Sequence, residues 1–325
     1  MSTESSASGA STSLSAASVA PEGDWRLEKD SMGEVRVPAH ALWGAQTQRA
    51  VENFNFGSGP MPAAFVEALL HLKAAAARAN EQLGLLEPAL AQAIADSADA
   101  LLADPRHPAH FPVEVFQTGS GTSSNMNANE VLATLAAQRL GKPVSPNDHV
   151  NFGQSSNDTV PSAIHVAAAL QLERALLPAL AHLALALENK APTLRQYVKT
   201  GRTHLMDAMP VRFDQVLGGW RAQVQQAING LCALQPAVAT LAQGGTAVGT
   251  GVNTHPEFAA TLCALLQKRT GIHFQPAAER FSLMGAQDTA VQLSGQLKAT
   301  AVCLIKIAND LRWMNSGPLA GLAEI

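Results

Sequence analysis

Three short clusters of hydroxyl, amide and imidazole side chains are the residues of this 325-residue sequence best suited to chemistry. They are Ser120-Gly121-Thr122, Ser155-Ser156-Asn157-Asp158 and Thr203-His204. Each precedes a stretch with helical periodicity, so each is predicted to begin a helix. A helix start leaves backbone N–H groups unpaired and carries a positive dipole end, which favours anions. Three such starts brought together would suit a small dicarboxylate, because hydroxyls and amides add donors without adding charge.

Ordinary structural roles explain the same residues when each cluster is taken alone. Ser, Thr, Asn and Asp before a helix are most often N-caps. A single histidine such as His204 is more often structural than catalytic, although an imidazole titrates near neutrality and suits a proton relay. Spacing by itself therefore leaves both interpretations open.

The elements that must position these clusters are predicted to be helices. Ala and Leu dominate, and aromatic residues make up only 5% of the chain, which favours helices packed on helices over sheets. Residues 25–56 are predicted to be irregular, and 244–251 form a glycine-rich loop. The predicted helices cover 62–83, 88–103, a segment ending near Gly141, 159–199 with a break at Pro178, 210–234, 256–270 and 286–315.

The chain is predicted to contain a tail and two domains. Residues 1–20 are rich in Ser and Ala without Lys or Arg, which predicts a disordered tail and neither a secretory signal nor a mitochondrial presequence. A polar connection separates a mixed, mostly helical N-terminal domain (21–157) from a central helical-bundle domain (158–325). The last predicted helix is apolar nearly all round, which places it inside a bundle shared between subunits.

Composition and charge argue against several classes of partner. The net charge is -4 and no Lys/Arg cluster marks a nucleic-acid surface. We expect no apolar stretch long enough to span a bilayer. Cys232, Cys263 and Cys303 are far apart, which predicts buried core thiols in a reducing compartment rather than a metal site. We therefore expect a cytoplasmic protein that binds neither membrane nor nucleic acid and uses no metal or cofactor.

Longer segments around the clusters resemble, in order, those of the fumarase/aspartase superfamily and, within it, the class II fumarases. They are 42–54 (LWGAQTQRAVENF), 118–131 (TGSGTSSNMNANEV), 154–159 (QSSNDT), 201–208 (GRTHLMDA), 241–256 (LAQGGTAVGTGVNTHP) and 307–325. The resemblance runs from about Trp25 to the end of the chain. It implies a mainly α, fumarase/aspartase-like long-helix bundle. It also implies a homotetramer in which three subunits build each active site.

The resemblance further implies a reaction and roles for the clusters. The reaction is the reversible hydration of fumarate to (S)-malate, an anti addition–elimination through a stabilised carbanion. His204 would take part in the acid/base chemistry through a bound water, and aspartases typically carry glutamine at this position. The residues implied to bind the substrate carboxylates are Ser120, Gly121, Thr122, Ser155, Ser156, Asn157 and Thr203.

Two departures from the family pattern affect these expectations. Many fumarases have His-Pro-Asn-Asp at a second carboxylate site, where this chain has Ser145-Pro146-Asn147-Asp148. A weakened second site and a plain turn both remain open there. The family also carries a G-S-S-x-M-P-x-K-x-N-P loop with the serine thought to be the carbon-proton base, and the sequence stops at Ile325 before any such segment. We therefore expect a truncated polypeptide that is inactive alone.

Two other functions compete with fumarate hydration. One is an ammonia elimination from an aspartate-type substrate by another lyase of the superfamily, which an assay comparing malate with aspartate would separate. The other is a non-catalytic, truncated subunit that pairs with a complete homologue.

Overall fold

The computed structural model describes residues 24–325, so the predicted tail at 1–20 lies outside the described residues. Helices dominate the described part, as expected from the composition. The α-helices are α1 (Ala45–Asn53), α2 (Ala63–Gln82), α3 (Pro88–Ala103), α4 (Thr122–Leu140), α5 (Ser156–Gln171), α6 (Leu177–Lys190), α7 (Phe213–Val238), α8 (Phe258–Thr270), α9 (Arg280–Gly285) and α10 (Asp288–Met314). The predicted bounds of α2, α3, α8 and α10 are confirmed to within two residues.

Short strands pair in twos between these helices. The strands are β1 (Trp25–Asp30), β2 (Gly33–Pro38), β3 (Val198–Thr203), β4 (Met206–Arg212), β5 (Thr240–Leu241) and β6 (Gln275–Pro276). The pairs β1–β2 and β3–β4 are antiparallel hairpins, and β5–β6 is parallel. The prediction that 25–56 is irregular is therefore wrong, because this segment contains β1, β2 and α1. Only Val35 and Val37 alternate as buried residues in β2, which is too short a pattern to reveal a strand.

The predicted break at Pro178 is also wrong. A π-helical turn over Leu172–Leu176 joins α5 to α6, and the helix continues from Ser156 to Leu194. Pro178 lies in the first turn of α6, where the wider turn before it accommodates a residue that has no N–H to donate. The predicted start of the next helix at Pro210 is likewise wrong, since Pro210 lies in β4 and α7 begins at Phe213.

The continuous helix 156–194 is long and apolar enough to cross a membrane, judged by length and composition only. This corrects the expectation that no such stretch is present. The core helix of a soluble protein passes the same test, and this helix packs on α2 and α7. Only 22% of its most apolar window is buried within the single chain, so most of that surface is left open.

The core is built around α2, which packs against α3, α5 and α8. Four consecutive alanines, 74–77, are all buried, and their small side chains let neighbouring helices approach α2 from several directions. The hydrophobic cluster continues without a gap from Phe65 in α2 to Met314 at the end of α10. This packing brings the starts of α4 and α5 together beside α2.

The last helix, α10, covers α7 with one narrow stripe. Leu293, Thr300 and Ile307 are buried at seven-residue spacing, which is the seam expected between two long helices. Val291 and Ile305, on other faces, are 70% and 58% exposed. The helix therefore leaves much of its apolar surface uncovered in a single chain. The prediction of three buried thiols is wrong in part, since Cys263 is buried, Cys303 is half-buried and Cys232 is exposed.

Candidate active site

The first two polar clusters meet at the starts of α4 and α5. Thr122 is the first residue of α4 and Ser156 is the first residue of α5. Their hydroxyl oxygens lie 2.7 Å apart. Both side chains are half-buried, while Ser120 and Asn157 at the edge of the cluster are exposed. The structure thus confirms that these two clusters begin helices, and it brings together two residues that are 34 positions apart in the sequence.

Gly121 makes this approach possible. Its φ is +67°, in the left-handed region that side chains other than glycine rarely adopt. A Cβ at this position would lie 2.9 Å from Val160 Cγ1 on α5. A larger residue would therefore push the starts of the two helices apart.

Ser155 has the structural role that its position before a helix suggests. Its Oγ accepts the Asn157 N–H at 3.2 Å, and Asp158 Oδ1 accepts the Ser155 N–H at 2.9 Å, so the two side chains form a capping box. The N-cap interpretation is confirmed for Ser155. Its hydroxyl is therefore less free to bind a ligand than that of Ser156.

The carboxylate of Asp158 also fastens the glycine-rich loop 244–251 to the start of α5. Asp158 Oδ2 accepts the N–H groups of Gly244 at 3.0 Å and Thr246 at 2.8 Å. Asn157 Nδ2 donates to the carbonyl of Ala247 at 2.7 Å. Burial raises the pKa of Asp158 to about 6, against the lowering effect of these backbone donors. The loop thus forms one side of the Thr122–Ser156 cluster.

A layer of polar side chains, which sequence analysis missed, lies beneath the two hydroxyls. Asn125 Nδ2 donates to Ser156 Oγ at 3.0 Å and to Asn151 Oδ1 at 3.3 Å. Lys73 Nζ donates to Asn151 Oδ1 at 2.7 Å and to Gln154 Oε1 at 3.0 Å. Asn125 and Gln154 lie within the polar segments 118–131 and 154–159, but nothing in the sequence links them to Lys73 on α2.

The third cluster does not begin a helix, and this expectation is wrong. Thr203 ends β3, and His204 and Leu205 form the two-residue turn that leads into β4. Both turn residues have positive φ, +52° and +61°, as tight hairpins require. Such turns usually carry Asn or Gly, and His-Leu therefore gave no turn signal. Thr203, His204 and Leu205 are all exposed.

His204 cannot reach the other clusters within one chain. The helix from Ser156 to Leu194 has 39 residues, which corresponds to about 58 Å at 1.5 Å per residue. The ten residues from Leu194 to His204 span at most about 35 Å even when fully extended. More than about 20 Å must therefore separate His204 from Ser156, whichever way the hairpin points.

The path of α7 supports this separation. α7 packs along α6 in the reverse direction, and Thr240, just beyond its end, accepts a hydrogen bond from His165 at 2.8 Å. The long helix is thus straight enough for α7 to run beside it from the hairpin to α5. Among residues 24–325, no hydrogen bond joins Thr203 or His204 to the first two clusters.

The residues predicted as a second carboxylate site form a capped turn. Ser145 Oγ accepts the Asp148 N–H at 3.0 Å and donates to Asp148 Oδ2 at 2.9 Å. Pro146 and Asn147 lie in the helical turn between them. The nearby Lys142 is paired with Glu87 at 2.8 Å. These contacts are those of the plain-turn interpretation, and carboxylate binding at this turn stays a prediction.

Between Asp24 and Ile325, no group of three or more His, Cys, Asp and Glu side chains is close enough to hold a metal ion.

Comparison with known proteins gives a consistent family. The model of a family described as "Lyase" matches residues 33–325. A fumarate hydratase class II 2 from Pseudomonas aeruginosa is 62% identical over 302 residues, covering 93% of this chain and 66% of that protein. A fumarate hydratase class II from Xylella fastidiosa is 54% identical, covering 93% of this chain and 63% of that protein. The chain thus spans slightly less than two thirds of the length of these relatives.

Solved structures show the same likeness in three dimensions. The class II fumarase from Schistosoma mansoni superposes with a TM-score of 0.89 at 37% identity, over 92% of this chain and 67% of that one. A fumarate lyase:delta crystallin from Brucella melitensis gives a TM-score of 0.84 at 36% identity, over 92% of this chain and 69% of that one. The predicted mainly α, fumarase-like fold is confirmed.

Proposed function

The chain belongs to the lyase family whose model matches residues 33–325, and on this premise we propose that it binds fumarate and malate and serves their reversible interconversion. The observation that carries the proposal is the pair of hydroxyls, Thr122 and Ser156, held 2.7 Å apart at two helix starts. The positive dipole ends of both helices favour an anion beside this hydroxyl pair. The similarity to class II fumarate hydratases supports a four-carbon dicarboxylate as that anion.

The proposed chemistry needs donors and a proton relay. Dehydrating malate removes a weakly acidic proton next to a carboxylate, and the negative charge that develops must be stabilised by preorganised donors. Thr122, Ser156 and Asn157 supply neutral donors at the helix starts. His204, with Thr203 beside it, supplies an imidazole as the proton-transferring group. No step of this scheme requires a cofactor.

We propose that the complete site is shared between copies of the chain in a homotetramer. Because His204 lies more than about 20 Å from Ser156 in its own chain, it can only meet a ligand there by belonging to another copy. The exposed hairpin tip, with Leu205 85% exposed and Met206 69% exposed, and the uncovered apolar face of α10 support this assembly. We further propose the domain division at residue 157 and a cytoplasmic location.

The chain spans about two thirds of the length of its relatives. The direct test of the proposed site is therefore ligand binding rather than turnover. Calorimetric titration of the oligomeric 325-residue chain with malate is expected to show binding. The double variant T122A/S156A should lose it, and Thr193→Ala, at the far end of the same long helix, serves as a matched control. Fumarate absorbance follows turnover in parallel. Aspartate binding in place of malate would favour the ammonia-lyase alternative, and binding of neither would contradict the proposal.

A further inference from the structure

Lys73 is a fully buried cation in the middle of α2. Its side chain is 0% exposed, and it takes part in none of the ion pairs formed among residues 24–325. Burying an ammonium group without a paired carboxylate is costly. Its neighbours in α2 are Leu72 and Ala74, and its Nζ meets only the neutral amide oxygens of Asn151 and Gln154. A buried, unpaired charge at this position therefore calls for a function.

The negative charge that acts on Lys73 is that of Asp158. The Asp158 carboxylate already accepts hydrogen bonds from three backbone N–H groups. Burial lowers the pKa of Lys73 to about 7, and the charge of Asp158 acts against that lowering. Asp158 thus moderates the cost of the buried charge without forming an ion pair with it.

Lys73 fixes the direction of the hydrogen bonds around it. An ammonium group only donates, so Asn151 must turn its Oδ1 towards Nζ, at 2.7 Å. With that oxygen facing inwards, Asn125 must approach it with its Nδ2, at 3.3 Å. The same Nδ2 then donates to Ser156 Oγ at 3.0 Å. The orientation of the Asn151 amide satisfies Lys73 and agrees with the donation of Asn151 Nδ2 to the Gln154 carbonyl at 3.3 Å, and the orientation of Asn125 follows from it.

The direction continues to the hydroxyl pair. Because Ser156 Oγ accepts the Asn125 N–H, its own proton is free for Thr122 Oγ1, 2.7 Å away. The Thr122 proton is then left to point away from the protein network. The hydrogen bonds from Lys73 through Asn151, Asn125 and Ser156 are thus compatible with a Thr122 hydroxyl that donates outwards, away from this series.

We propose that Lys73 is a positioning residue for the dicarboxylate site: it orients the series Asn151, Asn125, Ser156 and Thr122 so that the hydroxyls donate to a carboxylate. The bound carboxylate in turn supplies the negative charge that the protein does not place beside Lys73. This inference rests on the proposed function. Lys73 itself lies behind the hydroxyls and does not touch the ligand.

Three substitutions separate the charge from the hydrogen bond. Lys73→Met removes both, Lys73→Gln keeps a donor without the charge, and Lys73→Arg keeps the charge. We expect K73M to bind malate at least tenfold more weakly by calorimetry, with K73Q and K73R in between. Its thermal unfolding temperature serves only to show that the variant is folded, because removing Nζ also leaves the Asn151 and Gln154 oxygens without their donor. The exposed Lys142→Met should bind malate like the parent chain.

The malate affinity of the folded variants distinguishes positioning from a structural role. A lysine with only a structural role would leave the malate affinity of folded K73M within twofold of that of the parent chain, and that result would overturn the inference. If K73M does not fold, K73Q and K73R decide on the same criterion. A tenfold loss in K73Q with smaller loss in K73R supports the inference, and parent-like affinity in K73Q overturns it.

A measurement without ligand keeps the test separate from the proposed function. Crystal structures of the parent chain and of K73M should be compared. In K73M, the Asn125 amide should be turned away from Ser156, and the Thr122–Ser156 distance should exceed 3.5 Å. If the parent chain binds no malate, the proposed function fails and these structures decide the positioning role alone. An unchanged Thr122–Ser156 contact in K73M would overturn it.

Discussion

The hydroxyls of Thr122 and Ser156 lie 2.7 Å apart although each is the first residue of a different helix. Two positive helix ends repel each other weakly, and among residues 24–325 no carboxylate is hydrogen-bonded to either hydroxyl. The contact is held by packing of α4 and α5 beside α2, by Gly121 and by the amide layer beneath. Four testable consequences concern Gly121, Asp158, His204 and His71.

The close approach of α4 and α5 depends on Gly121. Gly121→Ala should destabilise the fold by about 1–2 kcal/mol, since it forces alanine into the left-handed region and its Cβ to within 2.9 Å of Val160. Chemical denaturation measures the change. Adding Val160→Ala to this variant should recover affinity for malate that G121A loses, because it removes the clash. If the double variant binds no better than G121A alone, the steric explanation is wrong.

Asp158 ties the start of α5 to the glycine-rich loop. Asp158→Ala should lower the free energy of unfolding by about 2–3 kcal/mol, because it removes a helix cap and leaves buried backbone N–H groups without acceptors. Asp158→Asn, which keeps one acceptor oxygen, should lose less. Asp148→Ala is the matched control, since Asp148 follows a capping serine in the same way but is exposed. Equal losses at both positions would show that the loop contacts contribute little.

The shared-site proposal makes a prediction about mixtures. His204→Asn should leave stability within about 0.5 kcal/mol, because the side chain is exposed and asparagine tolerates positive φ, while malate binding is lost. Thr122→Ala should lose binding as well. Co-expressing the two variants should restore some binding, because mixed assemblies contain sites with an intact Thr122 and an intact His204 from different copies. Mixed assemblies that are verified by mass spectrometry and still bind nothing would contradict a shared site.

His71, two residues before Lys73, should make the free energy of unfolding depend on pH. Burial, together with the nearby positive charges of Arg269 and Arg174, lowers the pKa of His71 to about 4, and Asp99 acts in the opposite direction. Between pH 6.5 and 4 the unfolded chain takes up a proton that the folded chain does not, so stability falls as the pH drops through this window.

The expected loss from pH 7 to pH 4.5 is about 1–2 kcal/mol after allowance for the partial exposure of the ring. His71→Gln should flatten this part of the profile in urea denaturation, whereas the exposed His182→Gln should not. An unchanged slope in H71Q would assign the acid sensitivity to other groups.

The sequence by itself determined the helical fold class, the bounds of four of the ten described α-helices and the helix-start role of two of the three polar clusters. Those features are local: periodic apolar residues place α2, α3, α8 and α10, and a polar residue or glycine before a periodic stretch marks the starts of α4 and α5. The family resemblance also rests on contiguous segments, so it can be recognised from the sequence without the structure.

Only the tertiary structure decided which residues of the polar clusters contact one another. It brought Thr122 to Ser156 across 34 residues, placed Lys73 beneath them, and put His204 at the tip of a hairpin far along a continuous helix. Packing fixed each of these results. The alanine stretch of α2 draws the helix starts together, and the π-helical turn at Leu172–Leu176 keeps α5 and α6 in one rod. Such long-range relationships leave no periodic trace in the sequence, because residues distant in the chain determine them jointly.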